Sequence, residues 1–446
     1  MSKILKWPWR ALLIGAAGLL LLGICLAALF NAKLTRYVES NDFRVRIGEE
    51  TAKGLHLATG TYEPIRRTGA QTVASGGFTG GDGVKTIRSL TAHALTAKFD
   101  PWGILLRRWQ LDEVRIGSGE VEIQIYEPKP EVKPAKPWYT IFLPDRVYLV
   151  RVVSEPVDVM WRFRKAKGGF FGTRLLITPH GRDFDYYATG GTMKIASLPE
   201  LRLANTHLLV TRQLLTVYNL DIAPGEQSEG SIHVKGTAGL REEKGFDAEM
   251  NFSGVPVAAW LPESIRRQVS GIASGEARVK GKQRKLQDLS GNGALQITGG
   301  RLTGLQVLEK IAALTGKESL KTLNFSTFSV KVEGNHPRIG LQDIDIEDKG
   351  KLRIEGSVMI DGHNLNGTVR LGTTPEYLTW LPNAEEVFSR RSGAYMWTTV
   401  KLEGTVENPK QDLIPRIVKT MERSPEALLG IFFRETGDWL RSTFGE

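Results

Sequence analysis

Cysteine is almost absent from this chain: Cys25 stands alone among 446 residues. No internal disulfide can form, so a small scaffold held together by bridges is excluded. The signatures of catalysis are missing too. The seven histidines are scattered, and none shows the His-Glu-x-x-His spacing that sets two zinc ligands on one helical face. No Gly-x-Ser-x-Gly elbow and no P-loop occurs. The glycine-rich stretch Thr68–Val84 comes nearest to a phosphate cradle. Val84 separates Gly83 from Lys85-Thr86, and no strand clearly feeds it, so it reads as a mobile loop. The formal net charge is +10, but basic residues are dispersed among acids and no nucleic-acid motif accompanies them. That charge suits anionic lipid headgroups better than nucleic acid. Asp183-Phe184-Asp185 and Asp343-Ile344-Asp345 place carboxylates two apart, on one face of a strand. A solvated strand face gives the same pattern. No catalytic, cofactor-binding or metal-ligating residue is assigned, and the chain is expected not to be an enzyme.

What is present begins with a long apolar run. Ala11–Phe30 carries no charge. At about 1.5 Å per residue such a helix spans a hydrocarbon core of about 30 Å. Trp7 and Trp9 precede it, where amphipathic rings favour the interface. The run is too long for the core of a cleaved signal peptide, and no clean cleavage site follows. Residues 1–32 are therefore expected to be an uncleaved anchor. Flanking basic residues balance, but a short basic tail before a long downstream domain favours an internal N-terminus. After the anchor, Leu34–Leu55 reads as helix, with Ser40 or Asn41 as its cap.

The rest reads as short strands. Alternation over Leu95–Phe99, Leu111–Ile116, Val121–Ile125, Val157–Trp161, Thr192–Ile195 and Leu201–Leu203 has the period of half-buried strands. Turn residues recur at the spacing of antiparallel architectures. Glu127–Pro137 (EPKPEVKPAKP) reads as an extended linker. One stretch is duplicated: Gly350–Pro382 matches Gly230–Pro262, shifted by 120 positions. Gly230 and Gly236 fall on Gly350 and Gly356, and Trp260-Leu261-Pro262 falls on Trp380-Leu381-Pro382. Each copy reads as three strands broken at Trp-Leu-Pro. Leu302–Gly316 is the clearest internal helix, and the pattern turns helical again from Pro415.

Leu90–Ile125 (LTAHALTAKFDPWGILLRRWQLDEVRIGSGEVEIQI) looks like the first β-unit of AsmA-like envelope proteins, the group related to TamB. The stretch Gly404-Thr405 … Pro409-Lys410-Gln411-Asp412-Leu413 resembles the close of their C-terminal region, and Gly293–Leu371 is similar to the rest of it. The resemblance implies a single-pass inner-membrane protein with its C-terminal domain in the periplasm. It also implies a part in lipid transport or outer-membrane biogenesis.

The expected fold is mainly β: a transmembrane helix, then an elongated antiparallel sheet or groove of repeated units, with few helices. The expected divisions are 1–32 (anchor), 33–126 (helix and first β-unit), 127–229 (linker and middle units), 230–414 (duplicated repeats with helix 302–316) and 415–446 (amphipathic helices). Leu352, Ile354, Val369, Leu371, Val400 and Leu402 are expected on one apolar face, turned toward lipid, with Arg353, Arg370 and Lys401 opposite. The expected partners are phospholipid or other acyl chains, the inner membrane and another envelope protein; no cofactor is implied. Two alternatives stay open. Helices or a second sheet could fill the apolar face, leaving an ordinary core. The domain could also be a scaffold that binds envelope proteins and carries no lipid.

Overall fold

The N-terminal helices are where local sequence acts most directly. In the computed structural model residues 25–38 are helical and the chain breaks at Glu39-Ser40. Helix α1 (Asn41–Leu55) then starts under the Ser40 hydroxyl, which accepts the Phe43 N–H at 3.2 Å. It ends at His56, in the left-handed region. The expected helix over Leu34–Leu55 is thus two helices divided at its cap. The structure describes residues 23, 25–85, 87–100, 108–124, 146–163, 166–181, 183–195, 199–211, 214–225, 229–239, 245–261, 266–282, 288–304, 309, 312, 317–406 and 408–423. Most of the expected anchor, the proline-rich stretch 127–137, the turn at 101–103 and the tail beyond 423 lie outside these residues. Among the described residues no helix is long and apolar enough to cross a membrane.

The chain is mainly β, with 64% of the described residues in strands, and divides into two units, Met1–Ser197 and Leu198–Glu446. The first unit holds β1 (Thr59–Tyr62), β2 (Ile65–Arg67), β3 (Thr72–Gly81), β4 (Ile87–Asp100), β5 (Arg108–Ile116) and β6 (Ser118–Gln124). It continues with β7 (Arg146–Leu149), β8 (Val152–Ser154), β9 (Val157–Phe163), β10 (Ala166–His180), β11 (Asp183–Thr189) and β12 (Thr192–Ile195). Each strand pairs with others within three places of it in the chain. Long β4 pairs with β5 at one end and β6 at the other, and long β10 pairs likewise with β11 and β12. One step departs from the expected antiparallel pattern: β5 runs parallel to β7 and β8, and β6 parallel to β9. Alternation looks the same in either direction, so the sequence pattern could not separate them.

The glycine-rich stretch is largely a strand. Far from being a loop, Thr72–Gly81 is β3, paired with β1, β2 and β4. Its glycines serve close packing. A Cβ on Gly77 would lie 2.8 Å from the Ala92 carbonyl oxygen, and one on Gly76 would strike the Glu63 carboxylate. Glycine here admits neighbours rather than adding freedom.

The second unit is an antiparallel meander. It comprises β13 (Leu201–Val210), β14 (Leu214–Pro224), β15 (Ser231–Gly239), β16 (Phe246–Pro256), β17 (Val269–Gly281), β18 (Ser290–Thr303) and β19 (Thr322–Phe325). Then come β20 (Thr327–Asn335), β21 (Arg338–Asp348), β22 (Leu352–Asp361), β23 (Asn364–Thr373), β24 (Arg390–Ser392), β25 (Tyr395–Gly404) and β26 (Pro409–Gln411). Helices α2 (Ala384–Val387) and α3 (Leu413–Glu422) accompany the last strands. Leu302 and Thr303, expected to open a helix, still belong to β18; most of 305–316 lies outside the described residues.

The duplication appears as matching elements. Strands β15 and β16, a 3-10 turn at Val257–Trp260 and β17 correspond to β22, β23, a 3-10 turn at Pro375–Leu378 and β25. Each copy up to Trp-Leu-Pro therefore has two long strands, not three. The strands end at Pro256 and Thr373, before the Trp-Leu-Pro tripeptides. The 3-10 turn consumes the intervening residues, so proline is not what stops the strand. Gly236 and Gly356, the paired glycines, have φ of 159° and 150°. A side chain at either would strike the neighbouring strand, at the Asp247 or Thr368 carbonyl.

Candidate functional site

The feature that recurs in both units is a sheet with one apolar face. Register makes this explicit. In the second unit one cross-strand row runs Leu220, Val234, Met250, Ala277, Gly293, Val332, Leu341, Val358, Gly367, Leu402. No polar side chain interrupts it. Val234, Met250, Ala277, Val332 and Leu341 are half-buried. In the adjoining row Val279 and Ile339 are 37% and 42% exposed. In the first unit Val73, Ala97, Val114, Val152, Ile177 and Tyr186 form a similar row. Burial pushes the Tyr186 phenol above its ordinary pKa.

The other face of the second unit carries charge. Arg278 holds Asp247 through two nitrogens at 3.0 and 2.8 Å and reaches Glu249 at 3.0 Å. Lys235 meets Glu249 at 2.9 Å, and Lys280 meets Asp247 at 3.2 Å. Further along, Arg353 holds Asp345 at 3.0 and 3.1 Å and Glu355 at 3.1 Å, and Arg370 reaches Glu355 at 3.3 Å. The hydrogen bond from Arg278 keeps the Asp247 carboxyl below its ordinary pKa, and that from Lys235 does so for Glu249. Such exposed pairs contribute little stability each. Their consequence is polarity: one side of the sheet is well solvated and the other is not.

The six residues expected to face lipid do share a face. Ile354 lies opposite Leu371, and Val369 lies opposite Val400; Arg353, Arg370 and Lys401 occupy the other side. Their end of the face is covered, however. Val400 is 5% exposed, and Val369, Leu371 and Leu402 pack against a core built from Leu378, Val387, Leu413, Ile417 and Met421. Leu352 packs against Leu323 and Phe325. Helices α2 and α3 and the 3-10 turn thus close the face over β23 and β25. The half-exposed stretch, centred on Met250 and Ala277, lies nearer the middle of the unit. Alternation in β15–β17 was visible in the sequence; which strands lie under a helix was not.

A second cap lies at the start of the first unit. Helix α1 lays Phe43 and Ile47 on the sheet and closes an apolar cavity of about 110 Å³, lined also by Val38, Leu95, Phe99 and Leu111. Tyr62 lines it as well; its hydroxyl lies 3.2 Å from Thr51 Oγ1, and burial pushes its pKa up.

No family model, curated protein or solved structure matches the chain.

The paired aspartates are engaged elsewhere. Asp185 is 8% exposed and lies 2.9 Å from His180 Nδ1. Asp343 pairs with Lys331 at 2.8 Å, and Asp345 with Arg353. Among the described residues no three potential ligands gather for a metal ion. The Pro409–Leu413 stretch acquires a clear role. Strand β26 covers one end of the outer edge of β25, and β24 covers the other. Between them Asp412 Oδ1 accepts the Lys401 N–H at 2.8 Å, while Arg416 donates to the Thr398 hydroxyl at 3.2 Å and to the Thr399 carbonyl. Two side chains satisfy an edge that no strand covers. Leu413 enters the core beneath.

Proposed function

We propose that this chain is a membrane-anchored, periplasmic protein of the AsmA-like kind, with no catalytic role, that shields or passes lipid acyl chains along its apolar sheet face. The carrying observation is the uninterrupted apolar row from Leu220 to Leu402, set against an ion-paired face. The part of the row that no helix covers crosses seven strands, from Leu220 to Leu341, and at about 4.8 Å spacing is roughly 29 Å long. Half a bilayer core is about 15 Å, so this stretch accommodates roughly two acyl chains end to end. Each methylene withdrawn from water contributes about 0.8 kcal/mol. No polar group along the row asks for a hydrogen bond, which fits a hydrocarbon better than a peptide.

The decisive comparison uses two neighbouring residues. Met250 lies in the row; Asn251 lies on the opposite face and is exposed. Met250→Asp places an ion on the acyl path and should abolish lipid co-purification from detergent extracts. Asn251→Asp should leave bound phospholipid unchanged. Protease resistance is followed on the same samples. Loss of lipid together with resistance assigns Met250 to a packed core. Equal lipid in two folded variants overturns the proposal, and lipid-free wild type with a co-purifying envelope protein favours the scaffold reading.

A further inference from the structure

The helix over 25–38 has two differently treated halves. Its first half displays Leu26, Leu29 and Phe30 at 58%, 60% and 48% exposure. Its second half is docked: Leu34 and Val38 are 7% and 1% exposed and pack with Phe43, Ile65 and Phe99. Arg67, at the end of β2, fastens the joint. Its Nη1 donates to the Asn31 carbonyl at 3.1 Å and to the Thr35 hydroxyl at 2.9 Å. Its Nη2 donates to the Ala70 carbonyl, and its backbone N–H donates to the Glu39 carboxylate at 3.0 Å. One planar guanidinium therefore holds the helix on one side and the β2–β3 turn on the other.

We infer that residues 25–38 are a rigid bilayer-docking strut, with Leu26, Leu29 and Phe30 in the hydrocarbon and Arg67 as the residue that fixes the β-strands at a set angle to the membrane. The inference rests on the proposed anchor, and the occupant follows from the charge-free run Ala11–Phe30 that leads into the exposed residues. Phe30 stands only about 6 Å along the helix axis from Leu34. The bilayer surface then lies about one helical turn from the core of the first unit, leaving no length for a linker. Exposed Lys33, Arg36 and Tyr37 follow at the depth of the headgroups, where cations and amphipathic rings are favoured. Val38 lines the same apolar cavity as Val73, so the first-unit row begins at its membrane end.

The native chain offers a direct test, because Cys25 is exposed and has no competitor. Full-length protein is reconstituted in nanodiscs of phosphatidylethanolamine and phosphatidylglycerol. Spin labels are placed at Cys25 and at exposed Ser118, replaced by cysteine, and their distance distribution is measured by pulsed electron resonance. A separate Phe30→Cys variant in a Cys25→Ser background reports oxygen against aqueous-reagent accessibility. The expected result is lipid-like accessibility at position 30, a narrow distance peak in the parent, and loss of that peak in Arg67→Ala and Arg67→Lys. Lysine keeps the charge but not the fork. Thr35→Val, which removes one acceptor without touching the sheet, should broaden the peak too, and serves if the arginine variants do not fold. Aqueous accessibility at position 30 overturns the anchor and the strut together. Lipid accessibility with a broad parent distribution, or with a peak unmoved in all folded variants, overturns the strut and leaves the anchor standing.

Discussion

Helix α1 rests on β1 through a contact between two glycines, and the same substitution at two places on that helix should act with opposite sign. A Cβ on Gly48 would lie 2.6 Å from the Gly60 carbonyl oxygen; a Cβ on Gly54 meets nothing within 4 Å. Replacing a helical glycine by alanine favours folding by about 0.8–1.0 kcal/mol through propensity alone. At Gly54 that gain is unopposed. At Gly48 the helix must retreat, and a gap of about half an ångström forfeits roughly a quarter of the dispersion energy at each contact it loosens. The loosened contacts include those of Phe43 and Ala52, both buried. Overpacking of this kind costs about 1–3 kcal/mol, which leaves Gly48→Ala destabilising by about 1 kcal/mol net. A unit of this size shifts by about 2–4 °C per kcal/mol. Calorimetry of the purified full chain should show the first unit melting lower by about 2–4 °C in Gly48→Ala and higher by about 2–4 °C in Gly54→Ala. Stabilisation by both would refute the close seating of α1 and, with it, the capped end of the apolar row.

Two further outcomes rest on a buried hydroxyl and on a pair of carboxylates. Thr206 is 2% exposed and its hydroxyl has no hydrogen-bond partner among the described residues; Thr206→Val should stabilise the second unit by about 1 kcal/mol or more, and a lowered melting temperature would reveal a partner. Asp247 and Glu249 have depressed folded pKa values, so their contribution is present above the unfolded carboxylate range and lost as pH falls through the folded values. The urea midpoint should therefore decline as pH drops below about 4, and the double variant Asp247→Asn, Glu249→Gln should show a shallower decline; identical slopes would discount the ion pairs.

Much of the local structure was legible in the chain. Alternation located Thr192–Ile195 as a strand and placed Leu352, Ile354, Val369, Leu371, Val400 and Leu402 on one face, because the period of two is a property of the strand itself. The Ser40 cap and the matching of Gly236 with Gly356 were equally local. Other features were decided only in three dimensions. Glycines 76 and 77 look like loop residues in isolation and become strand residues because Glu63 and β4 approach too closely for a side chain. The parallel step between β6 and β9 leaves no mark on alternation. Most consequential is coverage. Val400 and Met250 carry the same pattern, yet Val400 lies beneath α3 and Met250 remains half-exposed. Periodicity records which way a side chain points, whereas burial depends on what distant part of the chain arrives to cover it.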